Sequence, residues 1–157
     1  MITIKKSPSA DSRTAVGSPS KEILLKSSIQ HIGDVQRALA YFAEKLIDAG
    51  AIHDHTKISG IDDFYSSYSK KLTGDDFKAE KWYKTHLTER HHLNDRCPDD
   101  VTLIDVLERI ADIVVAGMAR SGSIYNDSLS VEILARAYSN TIKLLLKEIN
   151  VVDENID

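Results

Sequence analysis

Six histidines occur in this chain, and all of them fall between residues 31 and 92. The tightest knot is His53-Asp54-His55; His86, His91 and His92 follow, and His31 stands alone upstream. Imidazole and carboxylate together suit divalent first-row cations. Such a group points to metal-assisted hydrolysis, in which a bound cation lowers the pKa of a water molecule. Taken singly, each histidine has a plainer reading as a packed or solvated side chain. Further acids come later, at Asp105, Glu108 and Asp112, spaced i, i+3 and i+7. That spacing stacks them on one helix stripe with Val101, Val115 and Ala119, at the border of a core. Three carboxylates there repel one another and resist desolvation, and a cation would offset that cost.

The elements that must hold these residues read as helices. The first spans residues 21–49, with Ser20 able to cap its start and Gly50 its end. On it Leu24, Ser28, His31, Val35, Ala38, Leu39, Phe42, Leu46 and Ala49 keep helical spacing. Residues 51–60 form a polar loop or short turn carrying the His-Asp pair. A second helix is predicted over 61–71, with Phe64, Tyr65 and Tyr68 as apolar members. Thr73-Gly74-Asp75 breaks it, and Asp75 can cap a third helix over 76–91. There Trp82, Tyr83, His86, Leu87 and Arg90 lie along the helix, His86 and Arg90 on one face. The fourth helix, 101–120, has Ile104, Leu107, Ala111, Val114 and Met118 as its core stripe. The last, 128–149, turns Ile133, Leu134, Ala137, Ile142, Leu145, Leu146 and Ile149 inward. No strand pattern and no repeat stand out. The expected fold class is all-α, a bundle of about five main helices over residues 21–157 as a single domain, preceded by an extended or flexible arm at 1–20.

At 157 residues the chain is long enough to bury a core without staples. A net charge of −4 argues against non-specific nucleic-acid binding, which wants a basic surplus. A local basic pocket for a small phosphorylated ligand remains open; Arg13, in the Ser- and Pro-rich arm, could reach such a phosphate. Cys97 is the one cysteine, so no internal disulfide forms, which fits a reducing cytoplasm. It reads as a small, partly buried filler before Pro98, or as a nucleophile or metal ligand. No apolar run reaches membrane-spanning length, and the N-terminus lacks the apolar segment of a signal peptide.

The order His31, then His53-Asp54, then Asp112 on a later helix resembles the HD-domain metal-dependent phosphohydrolases. Asp112 lies in Ile110-Ala111-Asp112-Ile113-Val114-Val115-Ala116, similar to that family's closing helix. His53-Asp54-His55-Thr56-Lys57 resembles its extended doublet, in which a lysine touches the ligand phosphate. His86 and His91-His92 look like the extra histidines of its binuclear branch. More narrowly, the chain is similar to small, poorly characterised HD-like proteins of bacteriophages. The likeness spans about residues 28–120. It departs in a compressed gap between His31 and the doublet, and in having no glutamate directly after the doublet.

The resemblance implies an HD-like bundle in which His31, His53, Asp54 and Asp112 hold a divalent metal (Mn, Fe, Zn or Mg). His86, His91 and His92 would bind a second ion, or His86 would act as general acid. Lys57 and Arg90 would hold the phosphate. Tyr65, Tyr68 and Trp82 could stack on a base, so a small nucleotide is the favoured substrate. Asp105 and Glu108 could replace Asp112 if the helix is rotated. The rival expectation is a non-catalytic metal- or nucleotide-binding accessory protein of phage type. Either protein would work in the cytoplasm, that of the host if phage-encoded, and self-association is left open.

Overall fold

The computed structural model describes residues 1–6, 20–72 and 76–153. Its elements run β1 (Ile2–Lys6), α1 (Lys21–Ile52), α2 (His55–Ser59), α3 (Ile61–Leu72), a 3-10 turn (Phe77–Ala79), α4 (Lys81–His86), α5 (Leu103–Ser121), α6 (Val131–Glu148) and β2 (Ile149–Asp153). The fold is all-α as expected, with helices dominating and α2 and α4 no longer than six residues. No helix among the described residues is long and apolar enough to cross a membrane. The chain divides into two compact units. One comprises Met1–Glu44 and Ile142–Asp157, the other Lys45–Thr141.

In the first unit β1 and β2 pair in parallel, Ile2 opposite Ile149 and Lys6 opposite Asp153. No strand was expected. The short alternation of Ile2 and Ile4 with polar neighbours is a period-2 pattern, and Ile149-Asn150-Val151-Val152 supplies the β-branched partner. Ser20 Oγ accepts the Ile23 amide at 3.3 Å, so the expected cap on α1 is present. The expected stop at Gly50 is not. The helix runs on to Ile52, and the left-handed residue beyond it is Asp54, with φ 54°.

In the second unit the expected third helix is cut short. Asp76 accepts the Lys78 amide, at 3.0 Å, and α4 ends at His86. Residues 73–75 and the arm over 7–19, with Arg13, lie outside the described residues. Residues 87–102 are turns and irregular chain, closed by local bonds such as Leu93 N to His91 O at 2.8 Å. Two arginines pin this stretch. Arg90 forks onto Asp105 through Nε at 2.5 Å and Nη2 at 2.9 Å, and reaches Asp100 at 3.1 Å. Arg109 forks onto Asp127 at 2.9 and 2.6 Å and donates to the His91 carbonyl at 3.1 Å.

The core of this unit forms where the irregular stretch meets α5 and α6: Leu93, Val101, Val106 and Ala137, with Cys97, Leu103, Leu129 and Ile133 against them. It is displaced from the expected stripes. Leu107, Val114 and Met118 on α5, and Leu134 on α6, are exposed, because the covering chain packs at the start of α5 instead of along it. Cys97 is part-buried as a filler, its sulfur 2.9 Å from Arg136 Nη2. Thr102 and Asp105 form a capping box that starts α5. Gly122, at φ 71°, ends it, a left-handed position that favours glycine.

Gly117 lets the chain beyond α5 fold back over the helix. A methyl group there would sit 2.5 Å from the Ser123 carbonyl oxygen and 3.0 Å from the Tyr125 amide nitrogen. Gly117→Ala should destabilise the protein by about 1–3 kcal/mol, because backbone and not a flexible side chain must move. Thermal unfolding should show the midpoint falling by about 3–10 °C; an unchanged midpoint would mean that 123–125 can lift off freely.

Candidate metal centre

The site is built from four stretches of the second unit: the turn after α1, the start of α2, the end of α4 with the chain after it, and one face of α5. Asp54 stands at its middle. Its left-handed backbone is an uncommon state for a non-glycine residue, one that persists where surroundings over-determine it. The turn lets His53 and Asp54 face the same interior even though neighbouring helical side chains diverge by about 100°. Asp54 Oδ2 is ion-paired with Lys57 Nζ, one turn on. Asp54 Oδ1 is buried with no hydrogen-bond partner. It lies 3.6 Å from His86 Nε2 and 3.6 Å from His91 Nε2.

The imidazoles share one orientation. His86 and His92 meet Nε2 to Nε2 at 3.0 Å. His53 Nε2 is 3.6 Å from Asp54 Oδ2 and 3.6 Å from Asp112 Oδ1. So the Nε2 atoms of His53, His86, His91 and His92 turn toward one another and toward acid oxygens. Their Nδ1 atoms turn outward to supports. His53 Nδ1 meets Glu108 Oε1 at 2.9 Å, and His91 Nδ1 lies 3.1 Å from the same oxygen. His86 Nδ1 is held by Thr56 Oγ1 at 2.9 Å, and His92 Nδ1 is 3.8 Å from Asp95. In His53 and His86 the outward nitrogen is hydrogen-bonded to a carboxylate or a hydroxyl, the kind of support found behind metal-ligating histidines.

Glu89 completes the support. Its Oε1 accepts the Thr56 amide at 3.0 Å and is also hydrogen-bonded by the Thr56 hydroxyl. Trp82 stacks on Phe64 at 4.2 Å and on His86 at 5.0 Å, and its Nε1 donates to the Thr56 carbonyl at 3.2 Å. That fixes the His86 ring plane. It also removes Trp82 from the residues able to stack on a base, since it is buried. Tyr65 and Tyr68 on α3 are exposed.

Three groups among the described residues place donor atoms close enough for one cation: His53, His91 and Asp112; Asp54, His91 and His92; Asp54, His86 and Glu89. Ligands bound at about 2.0–2.2 Å around a single ion sit roughly 3.0–3.5 Å from one another. The observed 3.0 and 3.6 Å separations are close to that range. Charge points the same way. Asp54, Glu89, Glu108 and Asp112 bring four carboxylates together, and Lys57 is the ammonium paired among them. These groups can hold a divalent metal ion.

Protonation follows from the same contacts. Burial pushes the Asp54 carboxyl up, but the Lys57 hydrogen bond and the charges of Lys57, His53 and His86 outweigh it and hold the pKa below the ordinary value. Glu108 and Glu89 are likewise lowered against burial, Glu108 by His91 and His53 and Glu89 by its Thr56 bonds. Burial, then Lys57, lowers His86. Burial, with His91 and His86 beside it, brings His92 to about 4. His91 is raised, because Glu108 beside it outweighs burial. His86 and His92 therefore stand neutral near pH 7 with a lone pair to offer, as a metal requires.

Several expected site residues are not brought here. His31 is exposed on α1, in the first unit. It joins none of the donor groups found in the second unit. Arg90 is spent on Asp105 and Asp100; since α4 stops at His86, the i, i+4 relation that put Arg90 beside His86 does not exist. Asp105 serves the cap of α5 and Arg90, so of the acidic stripe only Glu108 and Asp112 reach the centre. His55 faces outward, Nδ1 on the Ile52 carbonyl at 3.1 Å. The structure adds Glu89 and Thr56, which spacing on a continuous helix could not place. No family model matches the chain, and no curated protein and no solved structure matches it.

Proposed function

We propose that this chain is a metal-dependent phosphohydrolase acting on a small phosphate ester, with a nucleotide as the favoured substrate, built on an HD-like plan. The observation that carries this reading is the buried, unpartnered Asp54 Oδ1 ringed by imidazole Nε2 atoms. A buried carboxylate oxygen without a donor costs several kcal/mol in order of magnitude, and a cation relieves it. His53, Asp54, His86, His91, His92 and Asp112 would hold one or two ions. An imidazole-rich set favours Mn²⁺, Fe²⁺ or Zn²⁺ over Mg²⁺. When bound, the metal supplies a water of lowered pKa and polarises a phosphoryl oxygen.

The remaining work falls to the chain. His86, His91 and Glu89 are closed off, whereas His53, Asp112 and Lys57 are 26, 31 and 39 % exposed. Substrate would enter on that open side, where a catalytic centre keeps a free position and a structural one does not. Lys57 there is the cation nearest the entering phosphate. Exposed Tyr65 and Tyr68 on α3 offer faces on which a base could stack.

Protein purified without a tag should carry at least one transition metal per chain by elemental analysis. It should also release phosphate from some nucleotide when Mn²⁺, Co²⁺ or Mg²⁺ is added. Asp54→Ala should lose metal and release together; unchanged metal content would place the site elsewhere. Metal bound with no release across the panel would make the chain a binding module.

Lys57→Ala should keep the metal and raise KM about tenfold, the worth of roughly 1.4 kcal/mol of binding. An equal KM would take Lys57 out of the mechanism. Glu108→Gln should keep the fold by circular dichroism yet weaken metal affinity about 10–100-fold, the usual effect of removing the group behind a ligating histidine. Unaltered affinity would show that His53 and His91 need no support from Glu108.

A further inference from the structure

The apolar residues of α1 within the first unit are arranged as a seam. Leu25, Ile32 and Leu39 recur every seven residues, and Ser28, Val35 and Phe42 follow each of them by three. This is the heptad spacing of helices that pair along their length. The positions flanking the seam are Leu24, Ile29, His31, Gln36, Ala38 and Ala43, none of them acidic or a lysine or arginine. The charges between Leu25 and Glu44 (Lys26, Asp34, Arg37 and Glu44) all fall on the opposite side of the helix. Despite this pattern, Leu25, Ile32 and Leu39 are 60, 54 and 60 % exposed, and the one buried residue of α1 is Ser27.

The unit's own strand sits on the other face. Gln30 and Arg37, both opposite the seam, donate to the carbonyls of Lys5 and Thr3 in β1 at 2.8 and 3.4 Å. What remains of the unit among the described residues is β2 and the end of α6 from Ile142 to Glu148, under two turns of helix. From Leu25 to Phe42 the seam is about 26 Å long. No described element of the unit is a helix of that length except α1 itself.

We propose that the seam of α1 pairs with the same seam in a second copy of the chain. Length, heptad register and uncharged flanks are matched by construction when the partner is an identical helix. Like charges, which would oppose self-pairing at the flanks, are missing there. The broad apolar margin at Leu24, Ile29, Ala38 and Ala43 widens the contact beyond a two-residue stripe. His31, on that margin, borders the contact instead of binding metal. The inference does not depend on the metal centre, which lies in the other unit.

Light scattering on the full chain between about 1 and 100 µM should give about 35 kDa, twice the 17.5 kDa of one chain. The combined change Ile32→Glu and Leu39→Glu should return the mass to one chain. The gentler pair Ile32→Ala and Leu39→Ala, which keeps the helix soluble if glutamates do not, should raise the dimer dissociation constant at least tenfold. Metal content should stay as in the parent, and Glu44→Gln on the far face should change nothing. A single-chain mass across the whole range would overturn the proposal, since it would mean the chain covers its own seam or leaves it bare. A dimer whose dissociation constant is unmoved by the alanine pair would overturn it equally, by placing the contact elsewhere.

Discussion

Burial of one oxygen of the Asp54 carboxylate, Oδ1, is the constraint around which the metal centre is arranged. A carboxylate withdrawn from water must be matched by donors or by positive charge. Here one oxygen is matched by Lys57 and the other is not matched by any protein donor. The backbone adds its own demand, because Asp54 is left-handed where an ordinary residue would extend or end the helix. Desolvation and backbone strain at the same residue, each of order 1–3 kcal/mol or more, are features that structures retain where a site requires them. The Nε2 atoms aimed at that oxygen give the requirement a chemical form.

The supports explain why the imidazoles do not relax outward. The outward nitrogen is held by Glu108 in His53 and by Thr56, itself bonded to Glu89, in His86, while His91 Nδ1 lies 3.1 Å from Glu108 without a hydrogen bond. Trp82 then fixes the plane of His86 by stacking and ties α4 to α2 through the Thr56 carbonyl. His91 and His92 lie on irregular chain, which by itself would hold no fixed geometry. The forked pairs Arg90–Asp105 and Arg109–Asp127 remove that freedom, and Arg109 also grips the carbonyl of His91 itself. Bidentate pairs of this kind add direction as well as energy. The arginines therefore serve the centre by fixing the backbone behind it.

Much of this was legible in the residues. The helical periodicities, the cap at Ser20 and the clustering of histidines and acids as candidate metal donors follow from residue type and spacing. What failed was continuity. Reading 76–91 as one helix put Arg90 beside His86 and left Glu89 unremarked, because a run without glycine or proline carries no stop signal. The chain there ends its helix for tertiary reasons, to bring His91 and His92 around to Asp54. The reverse error occurred at Gly50, a conventional terminator that the helix passes through. His31 was credited through its place in the order of ligands; it falls in the first unit and joins none of the donor groups of the second. The apolar stripes of α5 and α6 were read correctly as stripes but not as exposed ones, since periodicity says which residues share a face and not what covers that face.

The gradient of exposure across the centre favours chemistry over a purely structural role. A structural ion is enclosed by all of its ligands, and its donors are buried alike. Here His91 and His86 are sealed while His53, Asp54 and Asp112 keep between a fifth and a third of their side-chain surface. The stacking of Trp82 on His86 lies on the sealed side. The open side carries Lys57, a cation paired with one oxygen of Asp54. Asp54 Oδ1 and the imidazoles would hold a metal ion, and Lys57, paired with Oδ2, would face an anion arriving from solvent. One carboxylate thus joins the closed half of the centre to the open half that carries Lys57.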